Sequence, residues 1–298
     1  MKLSNVLIAL LLTPGLLCAR QEQAFKLDIH VDLVELHVTV TDGAEHPVGG
    51  LSKEHFRLLE NRIPQEIAVF RQEDIPLSLG LVIDNSRSIE ARKQRLDAAA
   101  VAFVRRSNPE DESFIIHFDD EARVSSEFTS SVSGLETILA SVKPFGQTAI
   151  YDAVILAVDK MEAAKYQKKA LLLVTDGVDN VSKHTLEEAI ESIRKSKVAF
   201  YSVGLLSLSG GDKAETSLIR LAEAGGGRAY FPSIVEQAAT MIGQVARDLR
   251  EQYTIGYFST DPTRDGAWRS VRVEIAPQPG LPRKLNANYR FGYYGPDQ

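Results

Sequence analysis

Leu77-Ser-Leu-Gly-Leu-Val-Ile-Asp84-Asn-Ser86-Arg-Ser88 is the stretch on which the reading of this chain turns. Its apolar run, broken only by Ser78 and Gly80, stops at a carboxylate, and two hydroxyls follow at alternate positions. A run of this kind predicts a strand buried on both faces of a parallel sheet. From Ile89 to Ser107 the spacing turns helical, with Ile89, Leu96, Ala99, Ala100, Phe103 and Val104 on one face. Asp84, Ser86 and Ser88 therefore fall on a strand-to-helix loop at the carboxyl end of a strand, where open α/β sheets place their ligand sites.

Those three residues supply one charged and two neutral oxygens. A hard cation such as Mg²⁺ takes about six oxygens at roughly 2.0–2.1 Å, so one loop cannot complete its shell. Two later segments offer further donors. Ala170-Leu-Leu-Leu-Val-Thr-Asp176-Gly177 reads as a second buried strand ending in a carboxylate, and Phe145-Gly-Gln-Thr148-Ala-Ile-Tyr-Asp152 as a polar loop entering a helix. Each piece alone is an ordinary helix cap or turn.

Asp84-Asn-Ser86-Arg-Ser88, Thr148 and Thr175-Asp176-Gly177 resemble, in order and roughly in spacing, the metal-ion-dependent adhesion site of von Willebrand factor A domains. The resemblance implies a Rossmann-like α/β fold, a doubly wound and mainly parallel sheet flanked by helices. It implies a metal held by Asp84, Ser86, Ser88, Thr148 and Asp176, directly or through water, and a protein partner whose carboxylate fills the open coordination position. Mg²⁺ is the expected ion, with Mn²⁺ or Ca²⁺ as substitutes, because a hydroxyl-rich, low-charge set favours the smaller cation. Helix N-termini after Ser88 and Thr148 are expected to add partial positive charge there. Arg87 stands where many members of the family carry Gly; it is read as solvated, as are the basic clusters Arg92-Lys-Gln-Arg95 and Lys168-Lys169.

Two other functions compete with adhesion. Asp84 together with Asp176-Gly-Val-Asp179 superficially resembles the Mg²⁺-dependent phosphohydrolases of haloacid-dehalogenase type. Those enzymes need a second Asp two residues after the first as acid and base; Ser86 stands there, and its hydroxyl cannot do that work near neutral pH. A metal-free structural scaffold would keep the fold but leave five ligand-type side chains without a role. The expectation is a binding module and not an enzyme.

The first 19 residues, with Lys2, a short apolar core and Pro14-Gly15, read as a secretory signal cleaved after Ala19. Lipid attachment at Cys18 is disfavoured because Leu17 is not small. Cys18 is the single cysteine, so the mature chain would rely on core burial and not on disulfides. The expected location is secreted or periplasmic, with no membrane span. A net charge of -6 without a concentrated basic block argues against nucleic-acid binding.

The rest of the chain of 298 residues divides by rhythm. Residues 20–75 are β-rich: two alternating apolar sets, Leu27 to Leu33 and Val34 to Val40, then a mixed segment at 52–60 with Phe56, Leu58 and Leu59 apolar, and a short strand at 66–71. His30 and His37 occupy polar positions there and are read as exposed. Residues 76–251 alternate strand and helix, with capping patterns at Ser133-Gly-Leu-Glu136, Thr185-Leu-Glu-Glu188 and Ser233-Ile-Val-Glu236. The triplet Gly225-Gly-Gly227 follows a helix and reads as its stop, not as a phosphate loop. Residues 252–298 return to β character, with strands expected at 253–258, 269–275 and 288–294. Strands this few are seldom stable alone, so the two flanks are expected to pair into one β-sandwich-like module. The ending Asn288-Tyr-Arg-Phe-Gly-Tyr-Tyr294 resembles that of exported von Willebrand-A-related proteins of Acidobacteria.

Overall fold

The structure is a computed structural model that describes residues 33–105, 108–205, 211–276, 281–282 and 284–297. The expected signal segment, Cys18, His30 and the first apolar set up to residue 32 lie outside the described residues. The N-terminal flank forms strands β1 (Leu33–Asp42), β2 (Phe56–Glu60), β3 (Ile63–Gln65) and β4 (Ile67–Arg71). The central part runs β5 (Ser78–Asp84), a 3-10 turn at Arg87–Ile89, α1 (Lys93–Arg105), β6 (Glu112–Phe118), β7 (Ala122–Thr129), α2 (Val132–Ser141), α3 (Ile150–Lys160), β8 (Lys169–Thr175), α4 (Leu186–Lys195), β9 (Ala199–Gly204), α5 (Gly211–Ala224), β10 (Ala229–Tyr230) and α6 (Val235–Arg250). The C-terminal flank adds β11 (Tyr253–Phe258), β12 (Trp268–Ile275), β13 (Leu285–Asn288) and β14 (Gly292–Tyr294).

The central strands form a six-stranded sheet in the order β10-β9-β8-β5-β6-β7, parallel throughout except for β7. Every residue of β5 is buried, because helices cover both faces. Leu79, Leu81 and Ile83 pack with Leu96, Ala100 and Phe103 of α1 and Ile242 and Val245 of α6. Val82 turns to the opposite layer, with Ile150, Ala153 and Val154 of α3 and Ile190 and Ile193 of α4. The doubly wound, mainly parallel sheet is thus the expected one. The edge strand β7 has no counterpart in the sequence reading. Half-exposed, and out of regular register with β6 at two places, it shows no clean alternation.

The flanks interleave into two antiparallel four-stranded sheets, β13-β1-β11-β4 and β14-β12-β2-β3. Val34, Leu36, Val38 and Val40 of β1 face inward, as their period-two spacing requires, and meet Phe56, Leu58, Tyr253, Ile255, Tyr257 and Val271 in one apolar core. The expected final strand is two: β13 joins the first sheet and β14 the second, with buried Tyr289 in the bend between them.

Other local expectations are corrected. The cap of α2 is Ser131, whose Oγ accepts from Gly134 N at 3.2 Å, and not Ser133. Ile234, and not Ser233, precedes α6. Thr185 and Glu188 do form a capping box, and the glycine triplet does end α5, with Gly227 N donating to Ala222 O at 3.0 Å. Lys168 is not solvated: it is only 3% exposed, and its ammonium donates to Leu249 O. Burial pulls its pKa down to about 8, with Arg250 pushing the same way. His37 is half-buried and not exposed; burial pulls its pKa down to about 4. Among the described residues no helix is long and apolar enough to cross a membrane.

Candidate metal centre

Asp84 ends β5 at the carboxyl edge of the sheet, 1% exposed. Both its oxygens are oriented by neighbours. Oδ1 accepts from Ser86 N at 2.8 Å and Oδ2 from Thr175 Oγ1, at the end of β8, at 2.5 Å. Burial pushes its carboxyl up from the ordinary value and the charge of Asp176 adds to this, against the hydrogen bonds from Thr175 and Ser86. An ionised Asp84 at this position calls for a cation or more donors.

The donor atoms continue as a chain. Ser86 Oγ lies 2.9 Å from Ser88 Oγ, and Ser88 Oγ donates to Asp176 Oδ1 at 2.7 Å. Buried Thr148 lies beside the same turn: a Cβ added at Gly177 would meet Thr148 Oγ1 at 3.2 Å. Asp84, Ser86, Ser88 and Asp176 are therefore linked through hydrogen bonds, with Thr148 next to the Asp176-Gly177 turn.

The sequence reading missed the residues that hold these loops together. Asn85 N donates to Phe118 O at 2.7 Å, Asn85 O accepts from Phe145 N at 2.8 Å, and Asn85 Nδ2 donates to Lys143 O at 2.6 Å. Asp120 Oδ1 accepts from Gln147 N at 2.8 Å, and Thr148 and Asn180 exchange two hydrogen bonds, of 3.0 and 3.1 Å. One signal for Asp120 was present: the apolar run ending at Phe118 stops at Asp119-Asp120, much as the run before Asp84 does.

The expected helix charges are placed differently. The first amides of α3 are taken up by the loop after β8, with Tyr151 N donating to Asp179 Oδ2 at 3.2 Å and Asp152 N to Ser182 Oγ at 3.2 Å. Helix α1 begins only at Lys93, beyond the 3-10 turn. The positive charge brought to the site is instead a side chain: Arg92 Nη1 donates to Asp176 Oδ2 at 2.5 Å. Arg92 is thus not simply solvated. Arg87 is exposed, as expected.

The donor set suits a small hard cation. It offers two carboxylates and three hydroxyls, with no nitrogen or sulfur ligand. Adjacent oxygens around an octahedral Mg²⁺ lie about 2.9 Å apart, given metal–oxygen distances of about 2.0–2.1 Å. The Ser86–Ser88 and Ser88–Asp176 separations of 2.9 and 2.7 Å are ordinary O–H···O hydrogen bonds, and they already hold these oxygens as close together as neighbours around such an ion. Among the described residues no group of three or more His, Cys, Asp or Glu side chains could hold a metal, so any ion here would depend on the hydroxyls.

Residues 79–178 match the family model of the von Willebrand factor type A domain. Among solved structures, the fold is similar to the vWF domain of the type V pili tip protein Mfa5 from Porphyromonas gingivalis, with a TM-score of 0.52 and 13% identity over 58% of this chain and 95% of that one. It is similar to proximal thread matrix protein 1 from the mussel byssus with a zinc-occupied MIDAS motif, with a TM-score of 0.50 and 20% identity over 62% of this chain and 48% of that one. It is also similar to the D319A mutant of the PilB minor pilin from Streptococcus sanguinis, with a TM-score of 0.50 and 14% identity over 61% and 63% of the two chains. The chain spans about half the length of the mussel protein. No curated protein matches it. At these identities the structural likeness is one of fold, and the match to the von Willebrand factor type A model is confined to residues 79–178.

Proposed function

We propose that this chain is an exported, divalent-cation-dependent protein-binding module. Asp84, Ser86, Ser88, Thr148 and Asp176 hold the ion, Mg²⁺ by preference, and a carboxylate of a partner protein completes the site. The observation that carries this reading is that oxygen-bearing side chains from three separate loops gather at one strand edge: Ser86, Ser88 and Asp176 in a hydrogen-bonded run beside buried Asp84, with Thr148 next to the Asp176-Gly177 turn. A bound ion supplies Lewis acidity toward an incoming anion. The chain does the rest: Thr175 and Ser86 N aim the Asp84 carboxylate, while Asn85, Asp120 and Asn180 fix the loops that bring Thr148 to Asp176. With only two carboxylates, the donors do not outweigh the ion's charge and so do not repel an acidic partner. The zinc-occupied MIDAS motif of the mussel protein, and the pilus proteins among the structural neighbours, support both a metal and an extracellular setting. The leader-like residues 1–19 support export.

The phosphohydrolase reading is weaker, because the position where it needs an acid is Ser86, whose hydroxyl is engaged with Ser88. Isothermal titration of the chelator-treated, purified chain with MgCl₂ tests the proposal. One binding site is expected, lost in Asp84→Asn and in Asp176→Asn variants that still unfold cooperatively. No heat and no change in melting temperature with Mg²⁺, Mn²⁺ or Ca²⁺ would overturn it.

A further inference from the structure

Arg92 sits one residue before α1, and its backbone is fixed there. Its N–H donates to Ile89 O at 2.8 Å, and its carbonyl accepts from Arg95 N and Leu96 N at 3.0 and 3.2 Å. Only the side chain is free to move. Its Nη1 donates to Asp176 Oδ2 at 2.5 Å while Ser88 Oγ donates to Oδ1 at 2.7 Å, so both oxygens of Asp176 are engaged. The side chain of Asp176 is 1% exposed and that of Arg92 39%, which places the guanidinium on the solvent side of the carboxylate. The pair spans 84 positions of sequence and is distinct from the i,i+4 pairs of the helix surfaces.

We infer that Arg92 is a resident counter-cation of Asp176 that a divalent ion must displace, so that the chain sets its metal affinity through competition with its own guanidinium. The inference rests on the metal reading above. A monovalent and a divalent cation on one buried carboxylate repel each other, and the low local polarity strengthens that repulsion. The coupling is reciprocal: the ion loosens Arg92 by the same factor as Arg92 weakens the ion. A displaced Arg92 then stands at the rim of the site, where its planar fork suits a carboxylate of the partner. The same ion that opens a coordination position thereby presents a second anchor for the acidic group.

The test is titration of the full chain with MgCl₂, comparing wild type, Arg92→Gln and Arg92→Lys, with melting temperatures recorded with and without the ion. Arg92→Gln is expected to bind Mg²⁺ at least about fivefold more tightly. Arg92→Lys, which keeps the charge, is expected to stay near wild type. Metal-free Arg92→Gln is expected to melt below wild type, with Mg²⁺ restoring the difference. A purely packing role would lower both melting temperatures and leave the affinity unchanged, and equal or weaker binding by Arg92→Gln would overturn the inference alone. No binding by wild type or either variant would remove the metal reading and this inference with it.

Discussion

Thr175 Oγ1 donates a 2.5 Å hydrogen bond to Asp84 Oδ2 across 91 positions of sequence, joining the ends of two adjacent parallel strands. Thr175 is 0% exposed, and its hydroxyl also accepts from Gly177 N at 3.2 Å, so one oxygen fixes both the first carboxylate and the turn carrying the second. Thr175→Val keeps the shape and removes the donor, leaving a buried carboxylate short of a partner. A loss of about 1.5–3 kcal/mol in folding stability is expected, the range for hydrogen bonds to charged groups. Thr175→Ser is expected to lose less. Urea denaturation of the three proteins checks both statements.

Gly146 holds the loop that delivers Thr148. Its φ of 69° lies in the left-handed region, and a Cβ there would stand 2.6 Å from the Asp120 carboxyl. Gly146→Ala must therefore strain the backbone and push away the carboxylate that accepts from Gln147 N, next to Thr148. A cost of about 1–3 kcal/mol is expected from the backbone alone. Mg²⁺ affinity is expected to fall with it, because the Thr148 hydroxyl moves off the Asp176-Gly177 turn. Calorimetry checks this; a variant that melts lower but binds Mg²⁺ as tightly as wild type would show that Thr148 is not among the ligands.

The strand ends were legible because β5 and β8 are buried on both faces, which leaves an uninterrupted apolar run with an abrupt polar stop. That stop picked out Asp84 and Asp176. What stayed hidden depends on partners distant in sequence. Arg92 looks like any basic residue at a helix start until α1 and the end of β8 are brought together. Lys168 looks like surface until α6 supplies the Leu249 carbonyl. Asn85, Asp120 and Asn180 work through hydrogen bonds to the backbone of other loops, which leave no periodic trace. The break between β13 and β14 was hidden for a related reason: an alternating run does not say which of two sheets each half will join.

His117, on β6, is 4% exposed, with Nδ1 2.9 Å from Ser125 Oγ and Nε2 without a partner among the described residues. Burial, aided by the Lys93 charge, pulls its pKa from 6.5 down to about 3. The unfolded chain therefore takes up this proton first. The stability that neutral His117 contributes is complete above pH 6.5 and is lost as pH falls toward about 3. The expected slope is about 1.4 kcal/mol per pH unit in that window. His117→Asn is expected to be less steep by that amount below about pH 6, although half-buried His37 still adds to the slope in both proteins. Denaturant titrations of both proteins at several pH values check it; parallel pH curves would show that His117 is already charged in the folded state.

Gly226 joins the α/β part of the chain to its C-terminal strands. With a φ of 72°, it follows α5 in a conformation that L side chains rarely adopt, donating to Glu223 O at 3.1 Å. Its bare face lies against the bend between β13 and β14, where a Cβ would be 2.1 Å from Arg290 N and 2.3 Å from the Tyr289 carbonyl carbon. Backbone on both sides leaves no flexible group to yield. Gly226→Ala is therefore expected to cost about 3 kcal/mol or more, from left-handed strain together with overpacking. Gly43→Ala is the control: its nearest neighbour beyond the adjoining residues, Lys284 Cβ, is 3.9 Å away and its φ is not left-handed, so a change within about 0.5 kcal/mol is expected. Hydrogen exchange locates the damage. Faster exchange in β14 and at the end of α5, with β5 and β8 still protected, would mean that the clash frees the C-terminal strands while the sheet carrying Asp84 and Asp176 stays folded.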